Sequence, residues 1–407
     1  MSHSATVRDL RTQNRSRVLR HLVSAGELSR SELAARCALS PASVTNVVSD
    51  LFAEGLVEER GAVPSDGGRP IVMLGVNPRG AYMLGADVGE KGVAVELFDL
   101  AMERVDREFR EVSTRTAAPS EIAEALQQAV SAIRARNVAV EPRLVGLGLG
   151  LPGIVEDADG SHAGHGVVLY AQSLGWDPVH LDDLVQVPGL EVLADNGAKA
   201  LAAAEMWFGA ARGIDHALVA LLGRGIGLGI IAGGQLMRGS ASSAGEWGHT
   251  KLVGGHERCR CGGLGCLETV VGADALVQHW RSLGGDPVGS GWRALTALVE
   301  AADRKDEAAS SVLDHALDVL ATSLANLVNL TNPQKVVLGG WVGLLLMQSR
   351  AAELEARIRA AALMRPGSQF TLELCRFEGD AVALGAALLP LERLIARPLR
   401  LDMAATG

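Results

Sequence analysis

Residues 216–236 read HALVALLGRGIGLGIIAGGQL. Two apolar runs flank a turn rich in glycine, and Arg224 stands in that turn. A charge and repeated glycines in the middle of the run argue against a membrane span and for strand, turn, strand. The same order occurs earlier, at residues 82–100, as YMLGADVGEKGVAVELFDL. Each copy is followed downstream by a helical pattern and a further apolar strand. In the first half these are PSEIAEALQQAVSAIRAR (119–136) and RLVGLGLGLPGIV (143–155); in the second, ATSLANLVNLTNPQKVVLGG (321–340) supplies helix, proline and strand. Strands alternating with helices in two similar runs predict an α/β protein with two related halves. Within the later helix, DHALDVLATSLANLVNL (314–330) is a candidate packing or dimer element.

At 407 residues and 48% hydrophobic content the chain exceeds one ordinary domain and can bury a large core. Aromatic residues number only 14, so that core is expected to be aliphatic. The net charge of −9 is uneven: residues 1–72 carry nine arginines against eight acidic residues, and the remainder carries the deficit. A local basic footprint for nucleic acid is compatible with that balance. Arg8, Arg11, Arg15, Arg17 and Arg20 crowd the start, and no apolar signal segment precedes them. Five cysteines, an odd number, do not suggest a disulfide framework and fit a reducing, cytoplasmic setting.

The first seventy residues have a separate character. RSRVLRHLVS (15–24) places Val18, Leu19, Leu22 and Val23 on one helical face, and Gly26 ends it. Ser29 and Glu32 have capping-box spacing and open a second helix. Ser40 and Pro41 are suited to N-cap and first position of a third, whose Val44, Val47, Val48 and Leu51 keep helical period up to Gly55. Two short helices joined through CALS (37–40) predict a helix-turn-helix. The alternating stretch 56–76, broken by a turn-rich tip, predicts the two-stranded wing of a winged helix. Small polar residues at the start of the third helix suit a recognition helix in a major groove. The candidate DNA contacts are Ser40, Ala42, Ser43, Thr45, Asn46 and, at the wing tip, Arg69. Asn46 has the chemistry to bond a base edge with both ends of its amide, and a wing-tip arginine suits a minor groove.

Three cysteines fall within eight residues in GHTKLVGGHERCRCGGLGCLE (248–268). With His249 they form a Cys3His set, Cys259, Cys261 and Cys266 being the thiols, suited to a tetrahedral structural zinc with no open position. Three thiolates favour zinc over magnesium or calcium. His256, three residues before Cys259, is a rival ligand. Cys37 and Cys375 are expected as small buried hydrophobes.

A winged helix followed in order by DVG (87–89), GLPG (150–153), GRGIGLG (223–229), EWGH (246–249), CRCGGLGCLE (259–268) and VVLGG (336–340) resembles the ROK family of bacterial repressors and sugar kinases. The resemblance spans roughly residues 8–395. It implies an actin-like ATPase-domain (ribonuclease H-like) fold of two α/β lobes, a sugar cleft between them and a homodimer or tetramer. It implies a winged head over 1–78, a smaller lobe over 79–195 with about 380–407, and a larger lobe over 196–379. It favours His249 over His256 as zinc ligand, and it assigns sugar contact to Ser173, Asn196, Glu246, His249 and Glu268.

The kinase pattern is broken at several points. The family's Asn-Asp pair precedes a helix; aligning Glu205 in VLADNGAKALAAAEMWFGA (192–210) puts Asn196 on the Asn and Gly197 on the Asp that serves as general base. Asp195 lies two positions upstream, on a strand end that points its side chain elsewhere. Lys91 and Arg224 replace threonines of the two phosphate loops, Trp341 replaces a small glycine, and Ser173 stands where an Asn is common. Lys91 or Arg224 retains the charge to attract an anion, which keeps a phosphorylated ligand open. The implied function is a regulator that binds an operator and senses a sugar or sugar derivative without phosphorylating it. The alternatives are a sugar kinase carrying a DNA-binding head and a regulator governed by a protein partner.

Overall fold

The computed structural model describes residues 7–64, 70–89, 91–112, 117–157, 160–377 and 381–397. The head opens with α1 (Val7–Ala25), longer at its start than the periodicity of 15–24 indicates. A short strand β1 (Glu27–Ser29) leads into α2 (Arg30–Cys37). Ser29 caps α2 with the reciprocal Glu32 bond that the spacing predicts. Ala38 takes a left-handed conformation (φ 51°) that ends α2, and Ser40 caps α3 (Pro41–Ala53). Val44, Val47, Val48 and Leu51 are buried against Val18, Leu19 and Leu22 of α1. The wing strands β2 (Val57–Val63) and β3 (Ile71–Val76) pair antiparallel. β1 adds to β3, giving a three-stranded sheet in the order β1-β3-β2 that local sequence did not indicate.

Two five-stranded sheets follow, and they share one topology. The first contains β4 (Tyr82–Gly89), β5 (Gly92–Asp99) and β6 (Arg104–Glu111), which pair antiparallel in that order. After α4 (Pro119–Arg136) come β7 (Leu144–Leu151), a small three-stranded insertion of β8 (Ile154–Asp157), β9 (Val167–Tyr170) and β10 (Val179–His180), the turn α5 (Leu181–Leu184), and β11 (Glu191–Asn196). The first sheet is ordered β11-β7-β4-β5-β6, with β7 and β11 parallel to β4.

α6 (Gly197–Phe208) crosses to the second half. There β12 (Ala217–Leu222), β13 (Ile226–Ala232) and β14 (Gln235–Leu236) form the antiparallel part. The helices α7 (Glu268–Val271), α8 (Ala273–Ser282), α9 (Trp292–Asp303) and α10 (Glu307–Thr331) precede β15 (Lys335–Gly339). α11 (Gly340–Ala361) and α12 (Met364–Gly367) lead to β16 (Thr371–Leu374). The order β14-β13-β12-β15-β16 repeats the first sheet strand for strand, again with two parallel strands after three antiparallel ones. The two halves inferred from the glycine turns are thus one pattern used twice.

The chain ends its described part in α13 (Ala381–Ala396), which returns to the first sheet and lies on β4 and β7 while also packing against α6. The contact is close because glycines stand in it. A Cβ on Gly148 of β7 would sit 1.9 Å from the Ala386 carbonyl oxygen, and one on Gly385 of α13 would sit 1.8 Å from that of Ala200 in α6. The C-terminus of α13 is tied to the head. Arg15, only 6% exposed, donates from Nη1 to the Leu394 and Ile395 carbonyls at 2.9 and 3.0 Å. Its other nitrogens form a fork on Glu54 at 3.2 and 2.5 Å. A cation on free carbonyls at a helix C-terminus is favoured by the helix dipole as well as by hydrogen bonding. Arg20 stacks its guanidinium 4.6 Å from the Trp207 ring centroid of α6, and Arg11 pairs with Asp50. Two arginines of the crowded start, Arg15 and Arg20, therefore tie the head to α13 and α6, and Arg11 acts within the head. The 314–330 segment belongs to α10, whose Ala316, Leu317, Leu320, Ala321, Leu324 and Ala325 are buried inside the second half.

Gly148→Ala is expected to destabilise the fold by about 1–3 kcal/mol, since helix and strand must separate to admit one methyl group. A denaturation midpoint equal to that of the parent protein contradicts this account of the contact.

Candidate functional site

A cleft of about 510 Å³ opens between the two sheets, and the ends of β4, β7, β11, β12 and β13 converge on it. Asn196 and Gly197 stand where β11 becomes α6. The Asn196 Oδ1 caps α6 by accepting from the Ala198 and Lys199 amides at 2.8 and 3.3 Å, and its Nδ2 donates to the Gly153 carbonyl at 2.7 Å. One amide hydrogen remains for a ligand. Gly197 has room for a side chain: a Cβ there would meet nothing closer than Val382 at 3.7 Å. No steric rule removed the carboxylate from this position. Asp195 is turned out of the cleft, as its strand-end position implies. It is 3% exposed, receives Arg238 at 2.6 Å, and accepts from the Asn196 amide at 2.8 Å.

Behind this wall Lys199 is fully buried and donates to the Ser242 carbonyl. Burial pulls its pKa below the ordinary lysine value, against the fields of Asp195 and Glu246. Glu246 lines the cleft, and burial raises its carboxyl pKa while Lys199 and His249 oppose the rise. Glu205, the alignment landmark, is completely buried and braces the fold, accepting from the Ala210 and Arg376 amides at 2.6 and 2.8 Å.

Glu268 begins α7 and is 7% exposed. Its Oε2 accepts from the Ile226 amide at 3.1 Å, and its Oε1 from Arg260 Nη2 at 2.9 Å. Arg260 Nη2 also reaches the Arg224 carbonyl at 3.2 Å. The carboxylate thereby joins the glycine turn of 223–226 to the cysteine loop.

That loop brings His249, Cys259, Cys261 and Cys266 together, their ligand atoms all within 4.8 Å of one another. The His249 Nδ1 lies 3.7 Å from the Cys259 sulfur, and the Cys261 and Cys266 sulfurs are 3.7 Å apart. A tetrahedron with metal–sulfur bonds of about 2.3 Å has edges of about 3.7 Å, so the spacing is that of a metal site. His249, and not His256, stands in the cluster. Lys251 places its ammonium 2.9 Å from the Cys266 sulfur, a counter-charge for a site holding three thiolates. Burial pushes the Cys259 thiol up to about 12. For Cys261 burial acts the same way but is outweighed by hydrogen bonds from the Gly263 amide and neighbouring thiols, which hold it below the usual range. Trp247 anchors the His249 turn by donating to Ser323 at 2.8 Å. Cys37 and Cys375 are buried at 3% and 5% exposure.

All five residues expected at a sugar site, Ser173, Asn196, Glu246, His249 and Glu268, line the one cleft. So do Lys91, Arg224 and Trp341. Arg224 is held by Asp274 at 3.1 Å. Trp341 at the start of α11 meets Trp292 at the start of α9, with ring centroids 6.4 Å apart and planes at 53°. Trp292, Phe109, Arg107 and Arg260 also face the cleft and were not singled out from sequence. Arg260 carried a signal, standing inside the Cys-x-Cys motif; the others lie on separate segments that only folding assembles.

In the head, Ser40, Ala42, Thr45 and Asn46 are exposed and Ser43 is half-buried, with Ala42 and Asn46 on the face of α3 opposite the buried valines. Three hydroxyls are engaged locally: Ser40 accepts from the Ser43 amide at 3.1 Å, the Ser40 and Ser43 hydroxyls bond each other at 2.9 Å, and Thr45 donates to the Pro41 carbonyl at 2.9 Å. Arg69 lies outside the described residues.

Comparison with known proteins agrees with this arrangement. The ROK family model matches residues 83–393, and a MarR family model matches residues 9–67. The xylose repressor of Caldicellulosiruptor bescii is 28% identical over 405 residues, covering 96% of this chain and 98% of its own. A glucokinase of Halalkalibacterium halodurans is 32% identical over 329 residues, covering 76% of this chain and 94% of its own. The crystal structure of a ROK family transcriptional regulator, a homolog of the E. coli MLC protein, superposes with a TM-score of 0.76 at 24% identity, over 95% of this chain and 97% of that one. That likeness carries the fold, head included, while the family match covers both sheets and every residue of the cleft and the cysteine loop: the chain belongs to the ROK family.

Proposed function

We propose that this protein is a DNA-binding transcriptional regulator whose cleft senses a sugar or sugar derivative, with a structural zinc and without kinase activity. The observation that carries the reading is the pairing of a winged head with a sugar-type cleft whose general-base position is Gly197. Likeness to a xylose repressor along nearly the whole chain supports it. The likeness to a glucokinase over 76% of the chain supports the cleft as a carbohydrate site.

Ser173, Asn196, Glu246, His249 and Glu268 are the proposed sugar contacts. Carboxylates accept from neighbouring hydroxyls, the free Asn196 hydrogen donates, and the Glu268 carboxylate is already fixed in place. Without a carboxylate at Gly197 nothing at that position takes the proton from a sugar hydroxyl. His249, Cys259, Cys261 and Cys266 would hold zinc. Four protein ligands leave no site for water or substrate, so the ion's contribution is to fix the loop that presents His249 and Glu268.

The DNA contacts proposed are Ser40, Ala42, Ser43, Thr45, Asn46 and Arg69; the Ser40, Ser43 and Thr45 hydroxyls also brace the first turn of α3. Two copies in a homodimer would place their α3 helices in successive major grooves about 34 Å apart. Ligand-driven closure of the lobes would reach the head through α6, α13 and the Arg15 bonds, provided the ligand prefers one lobe arrangement. We keep the boundaries 1–78, 79–195 with about 380–407, and 196–379 for the head and two lobes. Among the described residues no helix is long and apolar enough to cross a membrane, and a cytoplasmic site is part of the proposal.

With ATP and a panel of hexoses, the purified chain should transfer phosphate at least about 100-fold more slowly than the roughly 1–100 s⁻¹ of kinases. Coupled measurement of ADP release checks this, and turnover within that range rejects the reading. On operator DNA, Asn46→Ala should weaken the preferred sequence by about 1–3 kcal/mol and narrow the margin over unrelated duplexes, whereas Arg69→Ala should weaken all duplexes alike. A mobility-shift titration at two salt concentrations distinguishes the two patterns. Cys266→Ser should lower bound zinc well below one equivalent per chain and reduce the melting temperature; elemental analysis showing unchanged zinc would remove Cys266 from the ligand set.

A further inference from the structure

The cleft contains more than a monosaccharide site needs. The chain has 14 aromatic residues in 407, yet three of them, Phe109, Trp292 and Trp341, line this one cavity. The tryptophans come from the first turns of α9 and α11 in the second half and are already in ring contact at 6.4 Å. Phe109 comes from the edge strand β6 of the first half, where its neighbours are charged and it is still 46% exposed. What sets Phe109 apart is its place: it lines the same cavity as the two tryptophans, from the other half of the molecule. Lobes closing over a bound ligand would bring these rings to it from both sides.

The charges of the cleft argue about the kind of ligand. The arginines lining this cavity are engaged by carboxylates of the chain, which favours a neutral ligand over a nucleotide or sugar phosphate. Arg107 pairs with Glu96 at 3.2 Å, Arg224 with Asp274 at 3.1 Å and Arg260 with Glu268 at 2.9 Å. Lys91 is the remaining lysine or arginine of the lining. The volume of about 510 Å³ lies within the roughly 300–1,000 Å³ of sites that enclose drug-sized ligands.

We propose that the effector is a neutral glycoside larger than a monosaccharide: one sugar ring occupies the Glu246, His249 and Glu268 end, and a second unit with a flat apolar face stacks on Trp341 and Trp292 beneath Phe109. This inference rests on the reading of the cleft as a sugar site. The second unit is a further pyranose ring, presenting its C–H face, or an aryl aglycone; both gain from contact with an aromatic ring and from removal of apolar area from water.

Calorimetry on the full-length protein tests it with glucose, N-acetylglucosamine and xylose, each offered as the free sugar, as its β-1,4-linked disaccharide and as its 4-nitrophenyl β-glycoside. The nonhydrolysable ATP analogue AMPPNP is a further arm. At least one sugar should bind about 10-fold more tightly in an extended form than alone, with quenching of tryptophan fluorescence, and the arm showing the gain identifies the second unit. Trp341→Gly should reduce that ratio to about 2-fold. Phe109→Ala, on an exposed edge position that the fold does not depend on, should reduce it too. Free sugars binding as tightly as both extended forms, or a gain that survives both substitutions, overturns the inference and leaves the sugar-sensing reading standing. Binding of AMPPNP at an affinity matching the best sugar overturns it as well, because that end of the cleft would then be a nucleotide seat. Silence from every carbohydrate removes both readings together.

Discussion

The close approach of α13 to its neighbours is the constraint on which the rest of the molecule depends. Glycines 148 and 385 let helix backbone touch strand and helix backbone, so α13 sits on the first sheet and on α6 at once. Such a contact has no long side chains that could rearrange independently; movement of one element has to be movement of the others. The two ends of this assembly matter for different reasons. α6 starts at Asn196 on the cleft wall, and α13 ends in carbonyls bonded by a buried arginine of the head. The same assembly thus reaches the cleft wall at one end and the head at the other, which is the route the proposed regulation would use.

In the proposed reading, the cleft keeps a phosphate-transfer architecture without the group that would run its chemistry. Gly197 leaves open space where a base would project, and Asp195 close by is held away from the cleft by Arg238. The arginines near the glycine turn are paired with carboxylates of this same chain. The carboxylates of Glu246 and Glu268 and the paired Trp292 and Trp341 line the same cavity.

The cysteine loop and the glycine turn are bridged by Glu268 and Arg260, so the loop is not a peripheral ornament. Sulfur and nitrogen atoms spaced as tetrahedral edges, with an ammonium beside one thiol, form a rigid donor set. Four protein donors would leave a bound ion no open position, which fits the structural role proposed for it.

Much of this was legible in the residues because it is local in sequence. The capping pairs at Ser29 and Ser40, the valine period of α3, the glycine turns and the Cys-x-Cys run each declare themselves within a dozen residues, since hydrogen bonding and helical period act over that range. The doubled strand order followed from two similar runs, although its identity in both sheets became visible only in the pairing. What the residues alone could not decide is what distant segments do to one another. Nothing near Glu27 announces that β1 will join the wing, because strand pairing has no local signature. Arg15 reads as part of a basic stretch until α13 brings carbonyls from the other end of the chain to it. Phe109 lies far from Trp292 and Trp341 along the chain, and the three share a cavity because the two sheets face each other. Chemistry encoded in short motifs is fixed by the chain itself; the company each side chain keeps is fixed by burial and packing across the whole fold.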